Sequence, residues 1–232
     1  MRKYKIGVWG QFGDGGKIAD GQAVRTTIIT NELKNRYGEE KVLVINTNNW
    51  KKHPVAFLLN TVKLVFLSEK VVIFPADNGF KVGVPIIHIL NTLCRKELYD
   101  VVIGGYLPAL LKEKPIYLKM LRKYKSLFVQ TEHLQIDLQN LGLKNIHILS
   151  NLKKLNTVKS EDVTVNKDPY VKVCTLSRVT ETKGIGYAID AVKKANADLK
   201  SDYIHLDVYG IIAPEYENVF NSLLEENRGI VS

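Results

Sequence analysis

The chain has 232 residues, a formal net charge of +9, and 45% hydrophobic against 25% charged residues, which is ample for a packed core and argues against disorder. Its two cysteines, Cys94 and Cys174, lie far apart with no Cys or His at ligand spacing, so a disulfide framework or a cysteine-based zinc site is disfavoured and a reducing compartment fits. No run of eighteen apolar residues occurs, so nothing reads as a membrane-spanning helix.

The segment MRKYKIGVWG has basic residues but no apolar signal core, and it reads as a first strand. In chain order the pattern then predicts a helix over 21–37, a strand over 41–46 and a helix over 55–67. A strand over 70–74, a helix over 86–98 and a strand over 99–103 follow. The run continues with a helix over 110–124, a strand over 126–130, a helix over 132–141 and a strand over 145–149. Near-continuous apolar strands alternating with helices specify an α/β class, a Rossmann-like doubly wound parallel sheet covered on both faces.

Residues 151–169 are polar and charged, closed by Pro169, and read as a linker. A second strand–helix–strand–helix run follows over 171–176, 185–196, 205–209 and 214–226. With only two strands it reads as the beginning of a second Rossmann-like domain. The expected division is therefore 1–150, 151–169 and 170–232.

Charge is spread unevenly. Residues 1–160 hold 25 Lys and Arg against 12 Asp and Glu, whereas 161–232 hold 8 against 12. The first part suits an anionic partner such as nucleic acid, an acidic membrane surface or a phosphorylated substrate, with a solvated lysine-rich surface as the plainer alternative. Nucleic acid is the weakest of these, because no recognised binding motif and no aromatic interleaving accompany the charge. Two stretches, Lys51–His53 before the apolar 55–67 and the basic 112–125, could lie on anionic lipid or be ordinary amphipathic surface helices.

The most informative segment is VKVCTLSRVTETKGIGYAIDAVKKAN, residues 171–196. It reads as a buried strand, a polar loop with Arg178 and Lys183, and an amphipathic helix. Cations at a strand end that runs into a helix N-terminus form an anion site, because the free N–H groups and the positive end of the helix dipole point the same way.

The first strand leads into a glycine-rich loop, GQFGDGGKIADGQAVRT, residues 10–26. A phosphate-binding P-loop fails, since Gln11 stands where its first Gly must be and Ile18 follows Lys17. A dinucleotide fingerprint also fails, since Ile18 stands where its third Gly would fall counting from Gly13. Further positions at strand ends are Asp77, in an Asp-Asn-Gly sequence with turn chemistry, Gly105, and Gly210 after HLDVY. The five histidines show no metal or triad spacing, and no metal ligands are predicted.

Ser177–Arg178 followed by Glu181–Thr182–Lys183–Gly184 resembles the donor-binding start of the second domain in GT-B glycosyltransferases, particularly the retaining family-4 group. Asp20 to Thr26 is similar to the opening of the first helix in bacterial polysaccharide-biosynthesis members. Thr131–Glu132, a helix, a strand and then Asn151 resemble the end of that family's first domain. The resemblance implies that Arg178 and Lys183 are the catalytic cations, stabilising the leaving diphosphate. It also implies that Gly15, Gly16, Glu132, Asn151 and Gly184 bind donor or acceptor, and the strand-end positions Asp77, Gly105 and Gly210 are candidates for the same role by their placement. No cofactor is implied; a UDP- or GDP-sugar is the donor substrate, and a glycan or lipid-linked molecule is the acceptor, at the cytoplasmic face of a membrane.

Two departures qualify it. The strand end at Gly104–Tyr106 lacks the His that many members carry, and the Glu–seven residues–Glu motif expected later is missing. Glu217 and Glu225 have its spacing but come too early. The second domain is therefore expected to be incomplete as given, from a fragment or a truncated gene product. The alternative is a non-catalytic subunit that binds acceptor or membrane while a partner chain supplies the donor site.

Overall fold

The computed structural model describes residues 3–12, 21–48, 50–150, 157–162 and 169–232, with the Asp77 side chain outside that description. The chain divides into two compact units, Met1–Leu155 and Asn156–Ser232.

The first unit is a six-stranded parallel sheet in the order β2-β1-β3-β4-β5-β6. Its strands are β1 (Tyr4–Gly10), β2 (Val42–Asn46), β3 (Ser68–Phe74), β4 (Glu97–Val101), β5 (Ser126–Val129) and β6 (Ile146–Ile148). The connecting helices are α1 (Gly21–Tyr37), α2 (Pro54–Leu67), α3 (Asp77–Cys94), α4 (Leu107–Glu113), α5 (Pro115–Leu121) and α6 (Glu132–Asn140). Since β1 is followed by β2 on one side and β3 lies on its other side, the winding reverses at β1. Carboxyl strand ends at such a reversal leave a crevice where α/β sheets hold ligands.

Side chains alternate between the two faces. Trp9, Val71, Ile73, Leu98, Leu127 and Val129 point into the larger core, beneath α2 to α6. Ile6, Val8, Val42, Phe74 and Val101 point the other way, with Ile29 and Leu33 of α1 packed on them. Both faces were expected to be covered, but over the far strands the second face is thinner. There Phe128 stacks between Tyr99 and His147 with ring centroids 6.4 and 5.7 Å away, and His147 is exposed.

The third helix departs most from the sequence reading. The Asp-Asn-Gly sequence is not a turn but the first turn of α3, which runs through Pro85 and ends at Cys94, so Leu98 belongs to β4. Proline cannot donate the helical bond to the carbonyl four residues earlier. That carbonyl, of Lys81, instead accepts from the Tyr117 hydroxyl at 3.3 Å, which lets the helix pass through Pro85. The predicted helix over 110–124 is likewise two short helices, α4 and α5, split at Lys114 where Pro115 opens the second.

Asp100 of β4 lies wholly buried on the larger-core face. Burial pushes its carboxyl up to about 8, and burial together with Asp100 pushes the buried Tyr124 phenol up as well.

The second unit has β7 (Val171–Leu176) and β8 (Ile204–Tyr209) paired in parallel, with α7 (Ile185–Leu199) and α8 (Glu217–Glu226). Residues 230–232 add to the other edge of β8: Leu206 N–H donates to Ile230 O at 2.7 Å and Ser232 N–H to Leu206 O at 2.9 Å. Its core is small, formed by Val179, Ile185, Ile189, Val192, Leu206 and Phe220. The expectation of a buried β7 is overturned. Four of its first five residues are exposed and Leu176 is too, because β8 is the one strand that pairs with it in the described sheet.

One device recurs in both units. The Asn91 amide makes two hydrogen bonds to the Lys96 backbone, and the Asn196 amide makes two to the Ile204 backbone. Each clamps a helix end, closed by a left-handed Arg95 or Lys200, onto the start of the following strand.

Candidate functional site

In the first unit a cavity of about 480 Å³ opens at the carboxyl ends of β1, β2 and β3, beside the winding reversal. Its wall comes from the residues that leave these strands: Gln11 after β1, Thr47 and Asn48 after β2, and Pro75, Asn78 and Gly79 after β3. The Asn46 amide oxygen ties two of the exits together, accepting from Phe12 N–H at 3.2 Å and Asn48 N–H at 2.9 Å. Trp9 forms the floor, fixed by its indole N–H donating to Thr61 Oγ1 at 3.1 Å. Trp50 leans on Phe57 with ring centroids 5.4 Å apart, and Lys51 and Lys52 bring two cations to the rim.

The first two turns of α1 explain how that wall is held. Their buried residues are Gln22, Ala23, Arg25 and Thr26, three of the four polar, an unusual face for a helix packed on a sheet. The Gln22 amide donates to the Phe74 carbonyl at 3.1 Å, and the Arg25 guanidinium donates to the Leu149 carbonyl beyond β6. Burial lowers the pKa of Arg25 from its ordinary value. Gln22 and Arg25 fall in the Asp20–Thr26 stretch that the sequence singles out, but none of Trp9, Gln11, Asn48 or Trp50 stands out from local pattern.

In the second unit the strand–loop–helix has the predicted form. After β7, residues 177–180 lead into a single 3₁₀ turn, Glu181–Lys183, and α7 begins after Gly184. Gly184 adopts φ 71° and ψ 27°, a left-handed conformation that reverses the chain between the 3₁₀ turn and α7. The loop is held from below: Ser177 N–H donates to Tyr209 O at 3.1 Å and Val179 N–H to Ile211 O at 2.9 Å. Val179 is buried as the anchor, and Arg178 and Lys183 are exposed. Neither cation forms a salt bridge among the described residues. A neighbouring cavity of about 370 Å³ is lined by Glu181, Asp190 and Glu215, whose carboxylates suit it poorly to an anion.

The remaining predicted positions are placed as follows. Asp77 is the first residue of α3, between Ala76 and Asn78, which line the first cavity. Gly105 is exposed, between β4 and α4, with open space where a side chain would go. Glu132 is the exposed first residue of α6, whose N-cap Thr131 accepts from Leu134 N–H at 3.3 Å. Gly210 follows β8 and is crowded by the backbone of Ser177. Gly15, Gly16 and Asn151 lie outside the described residues. Glu217 and Glu225 are exposed on α8. Among the described residues no group of three His, Cys, Asp or Glu could hold a metal ion.

This architecture, a six-stranded parallel sheet flanked by helices, is that of a Rossmann-like GT-B domain. Among solved structures the chain is similar to Anabaena Alr3699/HepE in complex with UDP and glucose, with a TM-score of 0.65 at 10% identity, covering 99% of this chain and 68% of that one. The same protein in complex with UDP-glucose gives a TM-score of 0.64 at 10% identity and the same coverage. TarM gives 0.52 at 16% identity, over 75% of this chain and 35% of that one. At these identities the likeness is one of fold. No family model matches the chain, and no curated protein matches it.

Proposed function

We propose that the chain is a glycosyltransferase that takes its sugar from a nucleoside diphosphate donor, a UDP- or GDP-sugar, and passes it to a glycan or lipid-linked acceptor in cell-surface polysaccharide synthesis. The observation that carries this reading is the loop 177–184. There Arg178 and Lys183 stand without salt-bridge partners among the described residues, at the carboxyl end of a parallel strand and just before α7. The likeness in fold to a structure holding UDP and glucose supports it.

In such a transfer the bond from the sugar anomeric carbon to the diphosphate breaks and a bond to an acceptor hydroxyl oxygen forms. The hydroxyl proton passes to a phosphate oxygen, and the departing diphosphate gains negative charge. The protein's task is to stabilise that charge. Arg178 offers a planar fork for two phosphate oxygens and Lys183 a compact charge, while the N-terminus of α7 adds its dipole. By this reading the cavity beside β1 to β3 receives the acceptor, and Asp77 stands between two residues that line it. Retention of configuration is the expected stereochemistry.

Titration with UDP and GDP, followed by calorimetry, tests the assignment. Binding to the wild-type chain that weakens in Arg178→Ala supports it. Absence of binding, or equal affinity in the variant, overturns it.

A further inference from the structure

The outward side of α2 and α3 is apolar where solvent-facing helices are normally polar. The inward side of α2 carries Phe57, Thr61, Leu64 and Val65, all buried in the larger core. On the outer side Val55 is 70% exposed and Leu59 64%, with Phe66 further along the same stripe. On α3, which packs beside α2, Ile89 is 63% exposed and Leu93 78%. The far ends of the two helices are linked by Lys96, whose ammonium donates to the Phe66 carbonyl at 3.3 Å. Scattered single hydrophobics on a surface are ordinary, but two exposed apolar stripes on helices that pack together are of the kind that covers something.

Charge says what the patch covers. α2 contains no Asp or Glu, and α3 contains none after Asp77. Lys51 and Lys52 precede α2, Lys63 lies exposed on it, and Arg95 is exposed where α3 ends. An apolar stripe with cations around it, and no carboxylate on either helix after Asp77, matches the boundary between anionic headgroups and acyl chains. No described helix is long and apolar enough to cross a membrane, so the match is to lying on the surface. Lysine is depleted at protein–protein interfaces, so a patch edged by Lys51, Lys52 and Lys63 suits a protein partner less well.

We infer that α2 and α3 dock the first unit onto an anionic lipid bilayer, with the side chains of Val55, Leu59, Phe66, Ile89 and Leu93 entering the interface and Lys51, Lys52, Lys63 and Arg95 facing the headgroups. Lys51 and Lys52 also stand on the rim of the first-unit cavity, so docking sets that cavity's mouth at the lipid surface. The docking rests on the exposed patch alone. Delivery of a lipid-linked acceptor to the cavity rests in addition on the glycosyl-transfer reading.

Co-sedimentation with vesicles tests it, using phosphatidylcholine alone and phosphatidylcholine with about one third phosphatidylglycerol. The full chain should bind the anionic vesicles, more weakly as salt is raised, and should leave pure phosphatidylcholine largely unbound. Leu59→Gln with Ile89→Gln and Leu93→Gln should lower partitioning on the order of a hundredfold. Lys52→Gln or Lys63→Gln should each lower it roughly fivefold. All these positions are exposed, and unchanged thermal unfolding will show that the variants fold. Failure to bind anionic vesicles, or binding unaffected by these variants, overturns docking. Dimerisation in solution that the triple variant abolishes overturns it too, by assigning the patch to a second copy. Arg178→Ala should leave vesicle binding unchanged and the triple variant should leave UDP binding unchanged, so the two readings fail separately.

Discussion

The carbonyl oxygen of Ser177 fills the space that a β-carbon on Gly210 would need, 1.6 Å from where that carbon would stand. Residues 177 and 210 leave β7 and β8 side by side, and the backbones close onto each other there. The obstruction is main chain, which cannot swing away as a side chain would. The absent side chain at Gly210 therefore has a local cause, whatever ligand approaches the loop. Gly210→Ala should destabilise the second unit by roughly 3 kcal/mol or more. Gly105→Ala, in open space, should change unfolding by less than about 0.5 kcal/mol. Denaturant unfolding of the two variants makes the comparison; equal effects would contradict it.

Arg178→Ala removes a charge-assisted fork from the loop between β7 and α7. If a diphosphate binds there, affinity for UDP should fall about ten- to a hundredfold, the equivalent of about 1.5–3 kcal/mol. Arg178→Lys keeps the charge and should recover part of that loss, but not the bidentate geometry of the guanidinium. Since Arg178 is exposed, thermal stability should hardly change in either variant.

The carboxyl of Asp100 gives stability a pH dependence. In the folded chain it keeps its proton up to about pH 8, while the unfolded chain releases it near 3.8. Between those values the folded state binds the extra proton. This contribution is complete below pH 3.8 and is lost progressively as pH rises from there through 8, by about 1.4 kcal/mol for each pH unit. Asp100→Asn removes the titration. Thermal unfolding at pH 5, 6.5 and 8 should show the wild type losing ground to the variant at each step, and parallel curves would refute it.

Tyr117 and Pro85 should behave as a coupled pair. Tyr117→Phe leaves the Lys81 carbonyl without its hydroxyl donor and should cost about 1 kcal/mol. Pro85→Ala restores a backbone N–H that can bond the same carbonyl. Tyr117→Phe should then cost less in the Pro85→Ala background than in the wild type. A double-mutant cycle by chemical denaturation measures the difference, and simple additivity would exclude the coupling.

Periodicity placed α1, α2, β3, α6 and β8 within two residues, because each carries its own punctuation, such as Pro54 at the start of α2 or Thr131 before α6. It failed where a distant residue decides the outcome. Pro85 and the Asp-Asn-Gly sequence argue locally against a helix, and the hydroxyl that makes one tolerable comes from Tyr117 on another helix. The exposure of β7 was hidden similarly, since an apolar strand reads the same with one neighbour as with two. The cations of the second-unit loop were legible because Arg178, Lys183 and Gly184 fall within seven residues. The first-unit cavity was not, because its wall is collected from three strand ends and a helix, and Lys51 and Lys52 read only as part of a basic stretch.

The two long polar side chains on the buried face of α1 give that helix a mechanical character. Gln22 grips the carbonyl at the end of β3 and Arg25 the carbonyl just beyond β6, so one helical turn is bolted to two separated points of the sheet. Hydrogen bonds hold direction and length in a way that apolar contacts do not. The helix therefore acts as a strut: its first turn cannot tilt without pulling on both anchor points. One of those points, Leu149, lies just ahead of the peptide that leads on toward the second unit.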